Sequence, residues 1–124
     1  MDRRVILVDT NAWIHHMRSA DPRLMALLSA QRVVTCDVII GDLRLGSGMT
    51  DEVTRLLARL PGIASPTAGE TLSFLERHRS AVAGTGVGWA DAQAIVAATR
   101  AGARIYTSDR GVKRVWTALG FRSA

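Results

Sequence analysis

The sequence predicts an α/β domain: a mostly parallel central sheet of four to five short strands, flanked by helices that cover both faces. Three observations carry this prediction. Short apolar runs rich in β-branched residues alternate along the chain with stretches of helical period. Often two such helical stretches separate consecutive runs, ample length for the crossover connections between parallel strands. The runs are apolar at successive positions, the pattern of strands buried on both faces. With 124 residues and no internal repeat, linker or low-complexity tract, residues 1–124 read as one domain.

The elements follow in order. Residues 4–8, RVILV, form the first strand. Asp9 or Thr10 caps a first helix through AWIHHM. Asp21-Pro22 restarts a helix to about residue 29, with proline at its first position and Leu24, Leu27 and Leu28 on one face. Residues 32–35, RVVT, make a second strand, and 37 to about 45 a helix closed by Gly46-Ser47-Gly48. Residues 50–60 carry the stripe Val53, Leu56, Leu57, Leu60, stopped by Pro61-Gly62. A brief third strand is expected near 62–64, then a helix from 68 to about 77. The glycine-spaced loop AGTGVGWADA leads into an alanine-rich helix over 89–101 with Gly102 as its C-cap. Residues 104–107 give a fourth strand. Ser108 or Asp109 caps a last helix through 119, and Gly120-Phe121 open a fifth strand.

Composition narrows the function classes. The 48% hydrophobic and 22% charged fractions are those of a soluble globular chain. No stretch reaches the length of a membrane span, and residues 1–8 lack the form of a signal peptide. The single cysteine, Cys36, cannot form an internal disulfide, so a reducing cytoplasm is expected, and it reads as a packed hydrophobe. Sixteen basic residues face eleven acidic ones for a net +5, and every base except Lys113 is arginine. Guanidinium groups suit bidentate phosphate binding, which favours a nucleic-acid partner.

Four aspartates are placed where chemistry is expected. Ligands of parallel sheets bind beyond the carboxyl ends of the strands, and Asp9 and Asp109 follow the first and fourth strands. Asp42 lies within an apolar helix, and Asp91 early in the 89–101 helix behind the glycine loop. Each has a bland explanation alone: Asp9 and Asp109 as caps, Asp91 as an acid complementing a helix dipole, Asp42 on a solvated face. Four converging carboxylates, however, repel one another, and a bound cation removes that cost. An all-oxygen donor set selects Mg²⁺ or Mn²⁺. His15 and His16 are adjacent and diverge on a helix, so they make no metal spacing; His78 has no assigned role.

"VDTNAWI", "VIIGDLRLGS", "GVGWADAQAIVAA" and "ARIYTSDRGV" resemble, in order and over nearly the whole chain, the motifs of PIN-domain ribonucleases, most closely the VapC toxins of bacterial toxin–antitoxin pairs. The resemblance implies a PIN-like three-layer α/β/α fold and a Mg²⁺- or Mn²⁺-dependent endoribonuclease that cleaves structured cellular RNA, tRNA or rRNA, with a metal-activated water. Asp9, Asp91 and Asp109 match the first, third and fourth family acids as catalytic metal ligands, and Thr10 and Asn11 the polar residues that support the first. Asp42 falls where the family usually carries glutamate, shorter by one C–C bond of about 1.5 Å, which points to a ligand acting through water and to weakened activity. The resemblance further implies a homodimer held inactive by a cognate VapB-like antitoxin.

Arg110, Lys113 and Arg114 follow Asp109 and offer RNA phosphate contacts, against the alternative of a plain solvated face. Trp89 reads as core rather than as a base-stacking platform, and Trp13 and Trp116 as packing or interface residues. The glycine loop is a poor match to a phosphate-binding loop. Two other readings stay open: a PIN-like module that binds RNA or a partner without cutting, and a Mg²⁺-dependent phosphatase-like domain phosphorylated on the aspartate after the first strand. The second expects another acid two residues on, where this chain has Asn11.

Overall fold

A computed structural model describes residues 4–46, 48–122 and 124. Three strands, β1 (Ile6–Val8), β2 (Val33–Val34) and β3 (Arg104–Tyr106), form a parallel sheet in the order β2-β1-β3. The pairing sets Ile6 opposite Val33 and Arg104, Leu7 opposite Val34 and Ile105, and Val8 opposite Tyr106. The central strand is fully enclosed, with Ile6, Leu7 and Val8 at 1% exposure or less, which is why its sequence is apolar without alternation.

Eight helices flank the sheet among the described residues: α1 (Thr10–Arg18), α2 (Pro22–Ser29), α3 (Asp37–Leu45), α4 (Asp51–Arg59), α5 (Ala68–Arg77), α6 (Arg79–Val82), α7 (Trp89–Ala101) and α8 (Arg110–Ala118). Their limits follow local chemistry. Asp21 accepts hydrogen bonds from the N–H groups of Arg23 and Leu24 to start α2, and Thr50 accepts from Val53 to start α4. Thr67 and Glu70 close a reciprocal capping box on α5. Gly102, at φ 65°, supplies the left-handed turn that ends α7. In α7, the small side chains of Ala92, Ala94, Ala97 and Ala98 are buried beside Ile95 and Val96, so this helix lies close to the sheet. Burying Ile95 and Val96 contributes about 1.5–3 kcal/mol each. No helix among the described residues is long and apolar enough to cross a membrane.

The sheet is smaller than the sequence suggests. The expected strand near 62–64 is reduced to an isolated parallel bridge between Thr35 and Gly62; Pro61 brings no N–H to a ladder and Pro66 blocks its extension. The expected fifth strand does not form at Gly120-Phe121. Phe121 instead donates its N–H back to Trp116 and stacks on that indole at 4.6 Å. Ser47 and Ser123, part of the expected loop and tail, lie outside the described residues. The first strand is shorter than residues 4–8, and α6 was not anticipated because one turn leaves no periodicity to read.

Trp13 and Trp116 are buried in the core, as their patterned helices suggest. Trp89 is not: it is 45% exposed. It occupies the first position of α7, ahead of the turn at which that helix enters the core, so the apolar pattern of the helix does not extend to it. Cys36 is buried, and burial pushes its thiol above the usual range.

Candidate active site

The order β2-β1-β3 means that the chain leaves β1 toward one neighbour and returns later on its other side. The crevice at such a reversal lies beyond the carboxyl ends of the two strands flanking it, here β1 and β3. Pairing continues one residue past the strands, because the Asp9 N–H donates to the Tyr106 carbonyl at 2.9 Å. Asp9 and Thr107 are thus brought side by side, and the Thr107 hydroxyl donates to Asp9 Oδ2 at 2.8 Å. Asp9 stands at the N-cap position of α1 but makes no side-chain cap bond there. Its carboxylate is held across the sheet by Thr107 instead of closing the cap of its own helix.

Asp109, after β3, is held from three directions. Its Oδ1 accepts from the Val112 N–H at 2.9 Å, capping α8, and its Oδ2 accepts from Asn11 Nδ2 at 3.3 Å. Its own N–H donates to Thr107 Oγ1 at 3.0 Å. Thr107 is therefore a hinge pin between the two acids, accepting from one residue and donating to the other. Asp91, in the first turn of α7, accepts from the Gly88 N–H at 3.4 Å. Asp42 is carried on α3, which packs against α7.

The four acids are linked in sequence by repulsion: Asp91 and Asp109 act on Asp9, and Asp109 and Asp42 act on Asp91. Burial raises the Asp9 carboxyl to about 6, the negative charges of Asp91 and Asp109 push it the same way, and the Thr107 bond opposes them. Asp91 is also raised, by burial and by the charges of Asp109 and Asp42. A buried carboxylate facing two others is costly unless a cation joins them. Among the described residues, no three Asp, Glu, His or Cys side chains stand close enough to coordinate one ion as placed. The donor set is nonetheless all carboxylate oxygen, which fits a hard dication and not zinc or copper.

A close approach fixes the spacing between the two sides of the site. A Cβ on Gly111, in the first turn of α8, would stand 2.5 Å from the Thr85 carbonyl oxygen and 3.1 Å from Asp109 Oδ1. Only glycine lets α8 seat against the loop that leads into α7 and Asp91.

The chain is 39% identical over 111 residues to the protein named Ribonuclease VapC32 in two strains of Mycobacterium tuberculosis, an alignment that spans 88% of this chain and 88% of each relative. The chain belongs to the VapC ribonuclease family. Its fold is similar to that of a chain in the crystal structure of DNA-bound VapBC from Salmonella typhimurium, with a TM-score of 0.71 over 98% of this chain and 97% of that one, at 21% identity. No protein-family model matches the chain.

In this VapC-family chain the residues singled out by sequence have distinct placements. Thr10 is buried behind Asp9, and Asn11 touches Asp109 directly. Arg110 and Lys113 are exposed and line clefts beside the site, whereas Arg114 is exposed and lines neither of those two. His15 is exposed; His16 accepts the Asp21 N–H at Nδ1 and meets Trp13 edge-on. Thr107 was missed. A threonine ending an apolar strand looks like strand chemistry, and only the pairing register across 98 residues gives it two acids to hold. The signal available was its place in YTSD, two residues before an acid already singled out.

Proposed function

We propose that this chain is a toxin-type endoribonuclease that hydrolyses structured cellular RNA with the help of Mg²⁺ or Mn²⁺. The observation that carries the reading is the buried Asp9 carboxylate, raised by burial first and by the charges of Asp91 and Asp109 after it, in a chain that belongs to the VapC ribonucleases. Asp9 and Asp91 would hold the ion, with Asp109 and Asp42 completing its surroundings. When bound, the ion lowers the pKa of a water and offsets charge on the scissile phosphate.

The protein's own groups do the positioning. Thr107 fixes the rotamer of Asp9, while the Val112 N–H and Asn11 fix Asp109, so these carboxylates are oriented before RNA arrives. With both oxygens already accepting, Asp109 is suited to orient water or a second ion. Asp42 is the shorter acid and bears on the site through Asp91, which supports a role through water. Arg110 and Lys113 supply positive charge beside the acids. The same reading includes a homodimer and inhibition by a VapB-like antitoxin, whose arginine would satisfy this acidic cluster; the Salmonella structure is itself of a VapBC assembly.

The test is incubation of the purified, antitoxin-free chain with total bacterial RNA in Mg²⁺ or Mn²⁺. Discrete cleavage products are expected, lost with chelator and with Asp9→Asn. Asp42→Glu is expected to cut faster, severalfold. Cleavage that survives both chelator and Asp9→Asn would overturn the reading. If neither the chain nor Asp42→Glu cuts any RNA, the binding-module reading replaces it.

A further inference from the structure

Two clefts open on the surface beside the acids. One, of about 440 Å³, is bordered by His15, Arg23, Tyr106, Thr107, Ser108 and Lys113. The other, of about 330 Å³, is bordered by Asn11, His15, Arg18, Ser108, Asp109 and Arg110. His15 and Ser108 border both, so the two form one groove running from the start of α2, past the end of β3, to the start of α8. Thr107 and Asp109, which belong to the acid site, form part of its wall.

Basic side chains converge on this groove from three helices: His15 and Arg18 from α1, Arg23 from α2, and Arg110 and Lys113 from α8. All five are exposed, and none is in an ion pair among the described residues. Arg23 is positioned. Its guanidinium lies over the Tyr106 ring, 5.7 Å from the centroid, and the Tyr106 hydroxyl is anchored by donation to Asp21. Asp21 is an acid of the groove wall, but its oxygens already accept from Tyr106 and from the N–H groups that start α2. Asp109 is similarly occupied.

We propose that this groove is the track for a single strand of the RNA substrate, with Arg23 and Lys113 holding phosphates on one side of the scissile bond and Arg18 and Arg110 on the other. The inference rests on the ribonuclease reading for what the strand is there for. The charge, the volumes of the two adjoining clefts, which lie in the range of small-ligand sites, and contact with the acid site through Thr107 and Asp109 support it. Tyr106 acts as a positioning residue: it holds Arg23 in the groove.

Binding is measured by fluorescence anisotropy with a labelled 12-nucleotide mixed-sequence 2′-O-methyl RNA in chelator, where no cleavage occurs. Arg23→Ala and Lys113→Ala are each expected to weaken binding about 3- to 10-fold and to lower the salt slope by about one phosphate contact. Tyr106→Phe, which keeps the ring and frees Asp21, is expected to weaken binding about twofold. Arg77→Ala, exposed on a different cleft, serves as the control and is expected to bind as the parent chain does. Equal losses in Arg77→Ala and the groove variants would overturn the track, as would no loss in either Arg23→Ala or Lys113→Ala or no binding by the parent chain. Cleavage assays separate the two proposals. A chain that cuts RNA with unchanged KM in both groove variants loses the track and keeps the ribonuclease. A chain that binds through Arg23 and Lys113 but never cuts keeps the track and loses the ribonuclease.

Discussion

Asp9 and Asp109 occupy comparable places, each at the N-cap position of the helix that follows a parallel strand. Asp109 caps its helix through Val112. Asp9 does not cap, and is buried against Thr107 with two like charges pressing on it. The first arrangement stabilises the fold; the second strains it. The difference shows that position at a helix start does not decide what an aspartate does. The partner that its carboxylate meets across the sheet decides it.

The largest effects should separate these two residues. Asp9→Asn is expected to reduce RNA cleavage about a thousandfold, the equivalent of several kcal/mol of lost charge stabilisation, in an assay with Mg²⁺. The same substitution is expected to stabilise the fold in chelator at pH 7, by about 1–3 kcal/mol, because it removes a charge whose folded pKa is raised. Denaturant melts with and without Mg²⁺ check both signs: the ion should stabilise the parent chain and leave Asp9→Asn unchanged.

The pH dependence follows from the same shift. The folded Asp9 carboxyl, at about 6, holds a proton that the unfolded chain releases near its ordinary value of 3.8. Stability in chelator is therefore expected to fall as pH rises through this window, and Asp9→Asn should flatten the fall. Thr107→Val removes the bond that holds Asp9 down, so the window should move upward, with cleavage lowered about tenfold. A melting series against pH, run beside the cleavage assay, measures both.

The smallest effects test the capping half of the comparison. Asp109→Ala and Asp21→Ala each remove a side-chain cap and should cost about 1 kcal/mol. Equal losses in urea melts would match the two as caps. If Asp109→Ala instead stabilises the fold, Asp109 resembles Asp9, and the distinction between the two strand ends fails.

What the sequence revealed and what it hid divide along local and non-local lines. The limits of α3 and α7 were legible because their signals lie within a few residues: the breaker after Leu45 and Gly102; the Thr67–Glu70 box that starts α5 is equally local but was not read. The strands were read too long and too many, since apolar runs do not show where pairing stops; Gly62 pairs once and Phe121 turns back onto Trp116. The acids could be named from their places after strands and at helix starts. Thr107 could not, because its role exists only once β1 and β3 are in register. Trp89 was misjudged because composition carries no information about where along a helix the core begins.

Gly111 carries no functional group, yet it stands where α8 meets the loop before Asp91. A methyl group there would wedge apart the segments that bear Asp91 and Asp109 and crowd the Asp109 carboxylate, while every acid stays in the sequence. In a growth selection for survivors of an active chain, alanine at Gly111 should be recovered alongside substitutions of the acids themselves. Heredity would then treat a missing side chain as part of the active centre.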